Sequence, residues 1–137
     1  MKNSKLINVR GIVCSGLGQS SSFTEIPWVR KQFIKKLGIR PCPGTFNIIV
    51  LPEDTEKLDL IKNTKVVEIT PEERDFCSAC AFPALVNGKI KGAIIIPLVP
   101  NYPQDQLEVI SPEHIRESLS LKDGDIVNVE IGLEITS

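Results

Sequence analysis

The sequence predicts a mainly β protein, a small closed barrel of six or seven strands with one or two helices. Three observations favour this fold. The β-branched and apolar segments are short and are separated by turn residues. An Asn-Gly pair at 87–88 joins two of them, which is typical of a tight hairpin. Only one longer segment repeats apolar residues at clear helical spacing. Because 137 residues make about one domain, and closing the sheet hides its edges, we expect a single barrel domain over residues 1–137.

The predicted strands are short segments rich in β-branched or apolar residues. They cover Asn8–Cys14, Thr45–Leu51, Lys65–Ile69, Phe82–Val86, Ile90–Ile96, Leu107–Ile110 and Ile126–Ile131. Ala93–Ile96 is apolar on both faces, so its strand is expected in the middle of the sheet. The charged segment Pro52–Asn63 is compatible with a short helix or with a surface loop.

Two helices are predicted. Pro27 suits the first position of the longer one, and Gly38 is typical of its C-terminal cap. Its apolar stripe consists of Ile26, Val29, Phe33 and Leu37. The second helix is short and runs to about Ser118, with Ser111 as N-cap and Pro112 at the first position.

The charge balance bears on possible partners. Sixteen Lys and Arg residues face seventeen Asp and Glu residues, so the net charge of −1 gives no general attraction to nucleic acid or to an anionic membrane. No apolar run approaches the roughly 20 residues of a spanning helix. Residues 1–11 become polar too soon for a secretory signal. We therefore expect a cytoplasmic protein with no nucleic acid and no membrane as partner.

The four cysteines are best interpreted as unpaired thiols. Cys77 and Cys80 form one C-x-x-C pair, whereas a structural zinc site normally uses two such pairs. Cys14, Cys42 and a single histidine remain to complete such a site. Reduced thiols agree with a cytosolic location.

The first candidate binding segment is the loop that begins at Gly16. Two glycines, Gly16 and Gly18, allow successive backbone N–H groups to converge on an anion. The loop is neither the dinucleotide fingerprint nor a Walker loop, because no G-K-S/T follows. An ordinary turn is the alternative interpretation of the same residues.

Thr45 and Asn47 form the second candidate. Residues two apart on a strand share a face, so the Thr45 hydroxyl and the Asn47 amide oxygen would lie side by side. Two neutral oxygens are too few to hold Mg²⁺, unless nucleotide phosphates supply the remaining ligands and the charge. Spacing alone favours a simpler alternative, in which both residues lie on the solvated face of a half-buried strand.

Two further candidates follow later in the chain. Glu108 is a lone acid between apolar strand residues and could accept a proton from a substrate hydroxyl, although such a residue often simply faces solvent. Glu113–Arg116 lies in the short helix, where Arg116 could pair with a phosphate. Lys122–Asp125 resembles a metal-binding loop but is better interpreted as a turn.

Taken together and in order, six segments of the chain resemble the archaeal-type, CTP-dependent riboflavin kinases. They are Arg10–Gly18, Pro43–Asn47, Gly92–Pro97, Leu107–Pro112, Ile115–Glu117 and Leu121–Asp125. The collinear match covers about residues 9–131 and is weakest from about Pro52 to Phe82. No single segment is diagnostic, but the ordered set is specific.

The resemblance implies a cradle-loop, riboflavin-kinase-like barrel that transfers the γ-phosphate of CTP to the ribityl 5′-hydroxyl of riboflavin, giving FMN and CDP. It implies that Thr45 and Asn47 bind Mg²⁺ and that Glu108 and position 100 contact the flavin. If Glu108 lies near the ribityl terminus, it could orient or deprotonate the 5′-hydroxyl, which makes it the catalytic candidate. The implied nucleotide-binding residues are Gly16, Leu17, Gly18, Gln19, Ser20, Ser21, Glu113, His114, Ile115 and Arg116. The partners are then small molecules, and the protein is a monomer or a small homo-oligomer. Aromatic residues that could contact a flavin are few, namely Trp28, Phe82 and Tyr102.

The sequence departs from the family at two places. Gln19, Ser20 and Ser21 stand where the family usually has an acid, a glycine and a basic or small residue. Pro100 stands where the family contacts flavin through a threonine, and proline brings no side-chain donor. These departures keep a second hypothesis open, a non-catalytic or altered-substrate flavin- or nucleotide-binding barrel. A third hypothesis is a barrel that contacts protein or DNA through the basic helix residues Arg30, Lys31, Lys35 and Lys36.

Overall fold

The computed structural model describes residues 6–15, 24–64, 66–72, 78–98 and 102–133. These residues form seven strands: β1 Leu6–Cys14, β2 Phe46–Val50, β3 Val67–Ile69, β4 Ala79–Val86, β5 Ile90–Pro97, β6 Gln106–Ile110 and β7 Ile126–Gly132. They also form three short helices: α1 Pro27–Gln32, α2 Lys57–Lys62 and α3 Ile115–Ser118. A π-helical turn over Phe33–Leu37 extends α1, and a 3₁₀ turn over Pro52–Asp54 precedes α2.

The strands close into the expected barrel. All pairings are antiparallel, in the order β3-β4-β5-β6-β2-β1-β7, and β7 also pairs with β4. Six strands therefore form the closed barrel, and β3 is an extra strand beside β4. One long strand makes both contacts, because Ala79–Ala81 of β4 pair with β3 while Ala84–Val86 pair with β7. The prediction of a mainly β barrel with few helices is confirmed.

The β4–β5 hairpin is the best-predicted part of the fold. Asn87 and Gly88 have φ values of 50° and 67°, the left-handed conformations that a type I′ turn requires. The strand that follows lies between β4 and β6, as the apolar character of Ala93–Ile96 indicated. Gly92 allows β5 and β6 to approach closely, because a Cβ atom at this position would lie 2.3 Å from the carbonyl oxygen of Ile110.

Strand alternation creates two apolar layers. Inside the barrel lie, among others, Val9, Ile48, Phe82, Ile94, Leu107, Val109, Val129 and Ile131. Strands β3, β4, β5 and β6 have a second apolar layer on their outer face, where α1 packs against them. This layer includes Trp28, Val29, Phe33, Val67, Ala81, Ala93, Ile95 and Ile110. On β6, Leu107 and Val109 thus point inward, whereas Ile110 packs beneath α1. Glu108 alternates with the inward residues and therefore shares the face of Ile110.

The helix predictions were partly right. Pro27 opens α1, Val29 and Phe33 are buried, and Gly38 caps the helical segment with φ of 69°. The prediction that Ser111 is the N-cap and Pro112 the first residue of the next helix is wrong, since α3 begins at Ile115 with His114 before it.

Ser111 instead fixes the end of β6. Its Oγ donates to the carbonyl oxygen of Lys91 at 2.8 Å and accepts from the backbone N–H of Glu113 at 3.1 Å. Ser111 thus holds the chain to the sheet, and α3 starts only after the chain has turned away from the sheet.

The remaining segments are assigned as follows. Pro52–Asn63, which the sequence left open, contains the 3₁₀ turn and α2. Lys122–Asp125 is a turn in which Gly124 has φ of 95° and Asp125 Oδ2 accepts from the Lys122 N–H. Cys14 and Cys42 are free thiols and Cys80 is buried, while Cys77 lies outside the described residues. Within the part of the chain that the structure describes, no helix has both the length and the apolar character needed to cross a membrane.

Candidate active site

Thr45, Asn47 and Glu108 meet where β2 pairs with β6. Asn47 lies directly opposite Glu108 in the antiparallel register, so both side chains are on the same face of the sheet. Thr45, just before β2, donates a hydrogen bond from Oγ1 to Glu108 Oε1 at 2.9 Å. Phe46, between them, turns to the barrel interior. Strand pairing thus joins candidates that are about 60 residues apart in the sequence.

Glu108 is completely buried, with 0% of its surface exposed, so the alternative in which it faces solvent is wrong. Its second carboxylate oxygen, Oε2, accepts a hydrogen bond from the hydroxyl of Tyr102 at 2.7 Å. Burial, and then the hydrogen bond and charge of Glu108, raise the pKa of Tyr102 well above its ordinary value. The phenol therefore stays protonated and acts as a donor. The Glu108 carboxylate is oriented at both oxygens by hydroxyl groups.

Asn47 carries a buried oxygen that lacks a protein donor. Its side chain is 8% exposed, which contradicts the alternative of a solvated strand face. Nδ2 donates to the carbonyl oxygen of Thr45 at 3.1 Å, whereas Oδ1 has no hydrogen-bond partner among the described residues. An unpaired buried carbonyl is unfavourable by about 1–3 kcal/mol. A cation or a water beside Asn47 would remove that penalty, so the residues present fit a bound metal ion.

The donor set for such an ion is neutral. No three Asp, Glu, His or Cys side chains within the described ranges form a cluster that could hold a metal. Thr45 donates its proton to Glu108, which leaves its oxygen lone pairs available to a cation. Thr45 and Asn47 therefore provide a partial set of hard oxygen ligands, of the kind that Mg²⁺ completes with phosphate oxygens and water.

A small cavity of about 140 Å³ lies beside Thr45. One wall is the Cys42–Phe46 turn, and the opposite wall is Glu113–Arg116 with Ser111 and Val109. The structure thus brings the predicted metal ligand Thr45 together with the Glu113–Arg116 segment that was predicted to hold a nucleotide.

A large cavity of about 430 Å³ has Tyr102, the hydrogen-bond donor to Glu108 Oε2, in its wall. Its lining is mostly apolar, with polar groups at one part of the wall, and comprises Ile61, Lys62, Thr64, Cys80, Phe82, Ile96, Pro97, Leu98, Tyr102 and Gln104. This volume and lining are typical of a small-molecule site. Tyr102 contacts Glu108 from this cavity, as Thr45 does from the small one.

Arg116 is held by two residues that the sequence did not single out. Its guanidinium lies 2.9 Å from Asp123 Oδ1 and donates to Ser15 Oγ at 3.2 Å, and Ser15 in turn donates to Asp123 at 2.6 Å. The hydrogen bond from Ser15, followed by the contact with Arg116, lowers the pKa of Asp123. Arg116 is thereby fixed at the end of β1, next to the start of the candidate loop.

Some predicted site residues cannot be placed. Gly16, Leu17, Gly18, Gln19, Ser20, Ser21 and Pro100 lie outside the described residues. His114 is exposed and borders the small cavity. Ser15 and Asp123 were missed as site residues, and Tyr102 was named only as one of three aromatic residues that could contact a flavin. Tyr102 had one visible signal, since it is the only tyrosine and lies six residues before Glu108.

Comparison with known proteins identifies relatives of this chain. The family model CTP-dep_RFKase, described as domain of unknown function DUF120, matches residues 13–131, which include every predicted site residue. The riboflavin kinase of Archaeoglobus fulgidus is 41% identical over 128 residues, 91% of this chain and 54% of that protein. The riboflavin kinase of Sulfurisphaera tokodaii is 38% identical over 133 residues, 94% of this chain and 98% of that protein. That of Saccharolobus solfataricus is 35% identical over 129 residues, 91% of this chain and 74% of that protein.

The chain thus spans about half the length of the Archaeoglobus relative and nearly all of the Sulfurisphaera relative. The match extends through both walls of the small cavity and through the strand that carries Glu108. The resemblance drawn from the ordered segments is confirmed, and with it the expectation of a kinase. The chain belongs to the CTP-dependent riboflavin kinase family.

Proposed function

We propose that this protein phosphorylates riboflavin, transferring the γ-phosphate of CTP to the ribityl 5′-hydroxyl with the help of Mg²⁺ and releasing FMN and CDP. The observation that carries the proposal is the position of Glu108. One carboxylate oxygen is hydrogen-bonded to a residue of the small cavity, and the other to a residue of the large cavity. From these two contacts we infer that the buried acid lies between the phosphoryl donor and the alcohol acceptor.

The small cavity and its rim are the proposed nucleotide side. Glu113–Arg116 forms one wall, and Arg116 offers a guanidinium that can pair with phosphate oxygens. Ser15 and Asp123 keep that guanidinium in place before any ligand binds. The Gly16–Ser21 loop follows Ser15 directly, and we propose that its backbone amides contact the polyphosphate.

Thr45 and Asn47 are the proposed protein ligands of Mg²⁺. When bound, the ion would neutralise charge on the phosphate oxygens and help to align the γ-phosphoryl group. The chain itself contributes the buried Asn47 Oδ1, which lacks another partner among the described residues, and a Thr45 hydroxyl whose proton points to Glu108. Both oxygens are thus positioned before the ion arrives.

The large cavity is the proposed riboflavin side. Its apolar wall suits the flavin ring, and Lys62, Thr64 and Gln104 offer polar contacts. With the ring in this cavity, the ribityl chain would reach Glu108, which accepts a hydrogen bond from the terminal hydroxyl.

In the transfer, a bond forms between the 5′-oxygen and the γ-phosphorus, and the bond from that phosphorus to the β–γ bridging oxygen breaks. The bridging electrons leave with CDP. The hydroxyl proton passes to the Glu108 carboxylate and then to solvent. Glu108 therefore both positions the nucleophilic oxygen and takes up its proton.

The direct test is to incubate the protein with riboflavin, Mg²⁺ and each nucleoside triphosphate in turn, and to separate the flavins chromatographically. We expect FMN in amounts stoichiometric with CDP, fastest with CTP, and abolished by a chelator. A complete lack of FMN with every nucleotide would contradict the proposal.

The altered residues Gln19–Ser21 and Pro100 keep the non-catalytic binding barrel as the alternative function. Calorimetry separates the two, because affinity for riboflavin or CDP without turnover would favour the alternative. DNA binding through the basic helix has less support, since Arg30 donates to the Pro41 carbonyl and Lys36 to Gln32 and the Glu68 carbonyl. These contacts already occupy two of the four basic side chains.

A further inference from the structure

Tyr102 lines the large cavity and also hydrogen-bonds to Glu108. Its hydroxyl reaches Glu108 Oε2 at 2.7 Å, while Thr45 occupies Oε1 at 2.9 Å. A fully buried carboxylate held at both oxygens has one orientation. If Tyr102 is removed, Glu108 Oε2 loses this hydroxyl donor.

We propose that Tyr102 is a positioning residue of the transfer reaction, whose hydroxyl fixes the Glu108 carboxylate and whose ring forms part of the acceptor cavity. This proposal rests on the proposed function. In this proposal a single side chain, Tyr102, links binding of the acceptor to the orientation of the Glu108 carboxylate. An acceptor in the large cavity contacts the same residue that holds Glu108 in place.

Neutral hydroxyls suit this role. The phenol remains protonated because burial and the neighbouring carboxylate raise the pKa of Tyr102. Its hydrogen bond to the carboxylate oxygen of Glu108 is short, at 2.7 Å. A hydroxyl brings no positive charge, so Glu108 is oriented without being tied to a cation by this contact.

The kinetic test is Tyr102→Phe, which keeps the ring and removes the hydroxyl. We expect kcat to fall about 10- to 100-fold, because a misplaced catalytic group costs rate on this scale. KM for riboflavin should change less than about threefold, since the cavity wall is retained. In a Glu108→Gln background the same substitution should add little further loss, because residues that act through one another are not additive.

A second readout does not depend on turnover. The chain has a single tyrosine, so the absorbance of phenolate during an alkaline titration reports Tyr102 alone. Glu108→Gln removes the carboxylate that opposes phenolate formation and should lower the pKa of Tyr102, while burial still holds it above the ordinary value.

The matched control is Glu130→Gln on β7, an acid-to-amide change at a position paired with Asn8 and Leu85. It should leave both the tyrosine titration and turnover unchanged. Circular dichroism confirms that each variant stays folded over the titrated range.

The outcomes separate the two proposals. Wild-type kcat in Tyr102→Phe would overturn the positioning role and leave the kinase assignment intact. A lack of FMN from the wild-type protein would remove the kinase assignment and, with it, the role of Tyr102 in a transfer reaction. If Tyr102 ionises within the folded pH range in both proteins and at the same pH in wild type and Glu108→Gln, the contact itself is overturned, whatever the activity. A lowered kcat at nearly constant KM, together with the shifted titration, supports the proposal.

Discussion

Asp54 and Glu108 are both buried acids, 4% and 0% exposed, but they are held by different chemistry. Asp54, in the 3₁₀ turn, accepts from the backbone N–H and Nε of Arg10 at 2.8 and 3.1 Å and lies 3.5 Å from Lys57 Nζ. Glu108 accepts from the hydroxyls of Thr45 and Tyr102.

The difference separates a scaffold acid from a site acid. The hydrogen bonds from Arg10 hold the pKa of Asp54 at about 2, so this carboxylate is charged at neutral pH and joins the turn before α2 to β1. Hydroxyl donors orient Glu108 without supplying a positive charge. The second arrangement suits the role proposed for Glu108, in which the carboxylate meets a substrate hydroxyl near a polyphosphate. If the two acids differ in this way, substitution of Asp54 should affect stability and substitution of Glu108 should affect turnover.

The largest effect is expected from Glu108→Gln. Turnover of riboflavin should fall by about 100- to 1,000-fold, because the amide cannot accept the substrate proton. The melting temperature should change little, since an amide oxygen still accepts from one hydroxyl. Steady-state FMN formation and a thermal melt measure the two quantities, with Glu130→Gln as control. Unaltered turnover would remove Glu108 from the reaction.

Next come the proposed metal ligands. Thr45→Val and Asn47→Leu should each lower turnover by about 10- to 100-fold, because positioning of the ion is lost. Thr45→Ser keeps the hydroxyl and should retain most of the rate. If Asn47→Leu needs a higher Mg²⁺ concentration for turnover, the defect lies in binding of the ion. Near-normal turnover in both Thr45→Val and Asn47→Leu would exclude the pair as metal ligands.

Asp54→Asn should act on stability instead. Loss of its charge-assisted contacts should lower the free energy of unfolding by about 2 kcal/mol at pH 7, measured by urea denaturation, with kcat retained. Pairing lowers the folded-state pKa from 3.8 to about 2, so the wild-type contribution is complete above pH of about 4 and is lost as the pH falls towards 2. The difference between wild type and variant should therefore shrink across that window. A constant difference would contradict this account.

Asp123 is an exposed acid that serves as a comparison. Its substitution is expected to have the smallest effect. Asp123→Asn removes the charge that faces Arg116, so KM for CTP should rise by up to about fivefold, as exposed ion pairs are weak. KM for riboflavin should not change, because Asp123 contacts Arg116 and Ser15, which belong to the proposed nucleotide side. The effect should diminish at high ionic strength. A change in KM for riboflavin without a change in KM for CTP would contradict the assignment of Asp123 to the nucleotide side.

Local signals in the sequence predicted the parts of the fold that depend on neighbouring residues. The Asn87-Gly88 turn, Pro27 and Gly38 at the ends of the helical segment, and the apolar strand Ala93–Ile96 were all found where expected. The start of α3 was misplaced because Ser111 is tied to Lys91 of another strand, a contact that no local pattern reveals. Tyr102 was recognised only as one of few aromatic residues, since its partner is set by the path of the chain between β5 and β6.

By itself, the sequence determined a small β barrel, its hairpin and main helix, and, through six ordered segments, its family. Residue type and spacing are enough for these, because they depend on local backbone preferences and on side-chain alternation. Only the tertiary structure decided that Asn47 faces Glu108, that Tyr102 and Thr45 hold the two oxygens of one buried carboxylate, and that Ser15 and Asp123 hold Arg116. These contacts depend on strand register and barrel closure, which bring together residues as far as 108 positions apart.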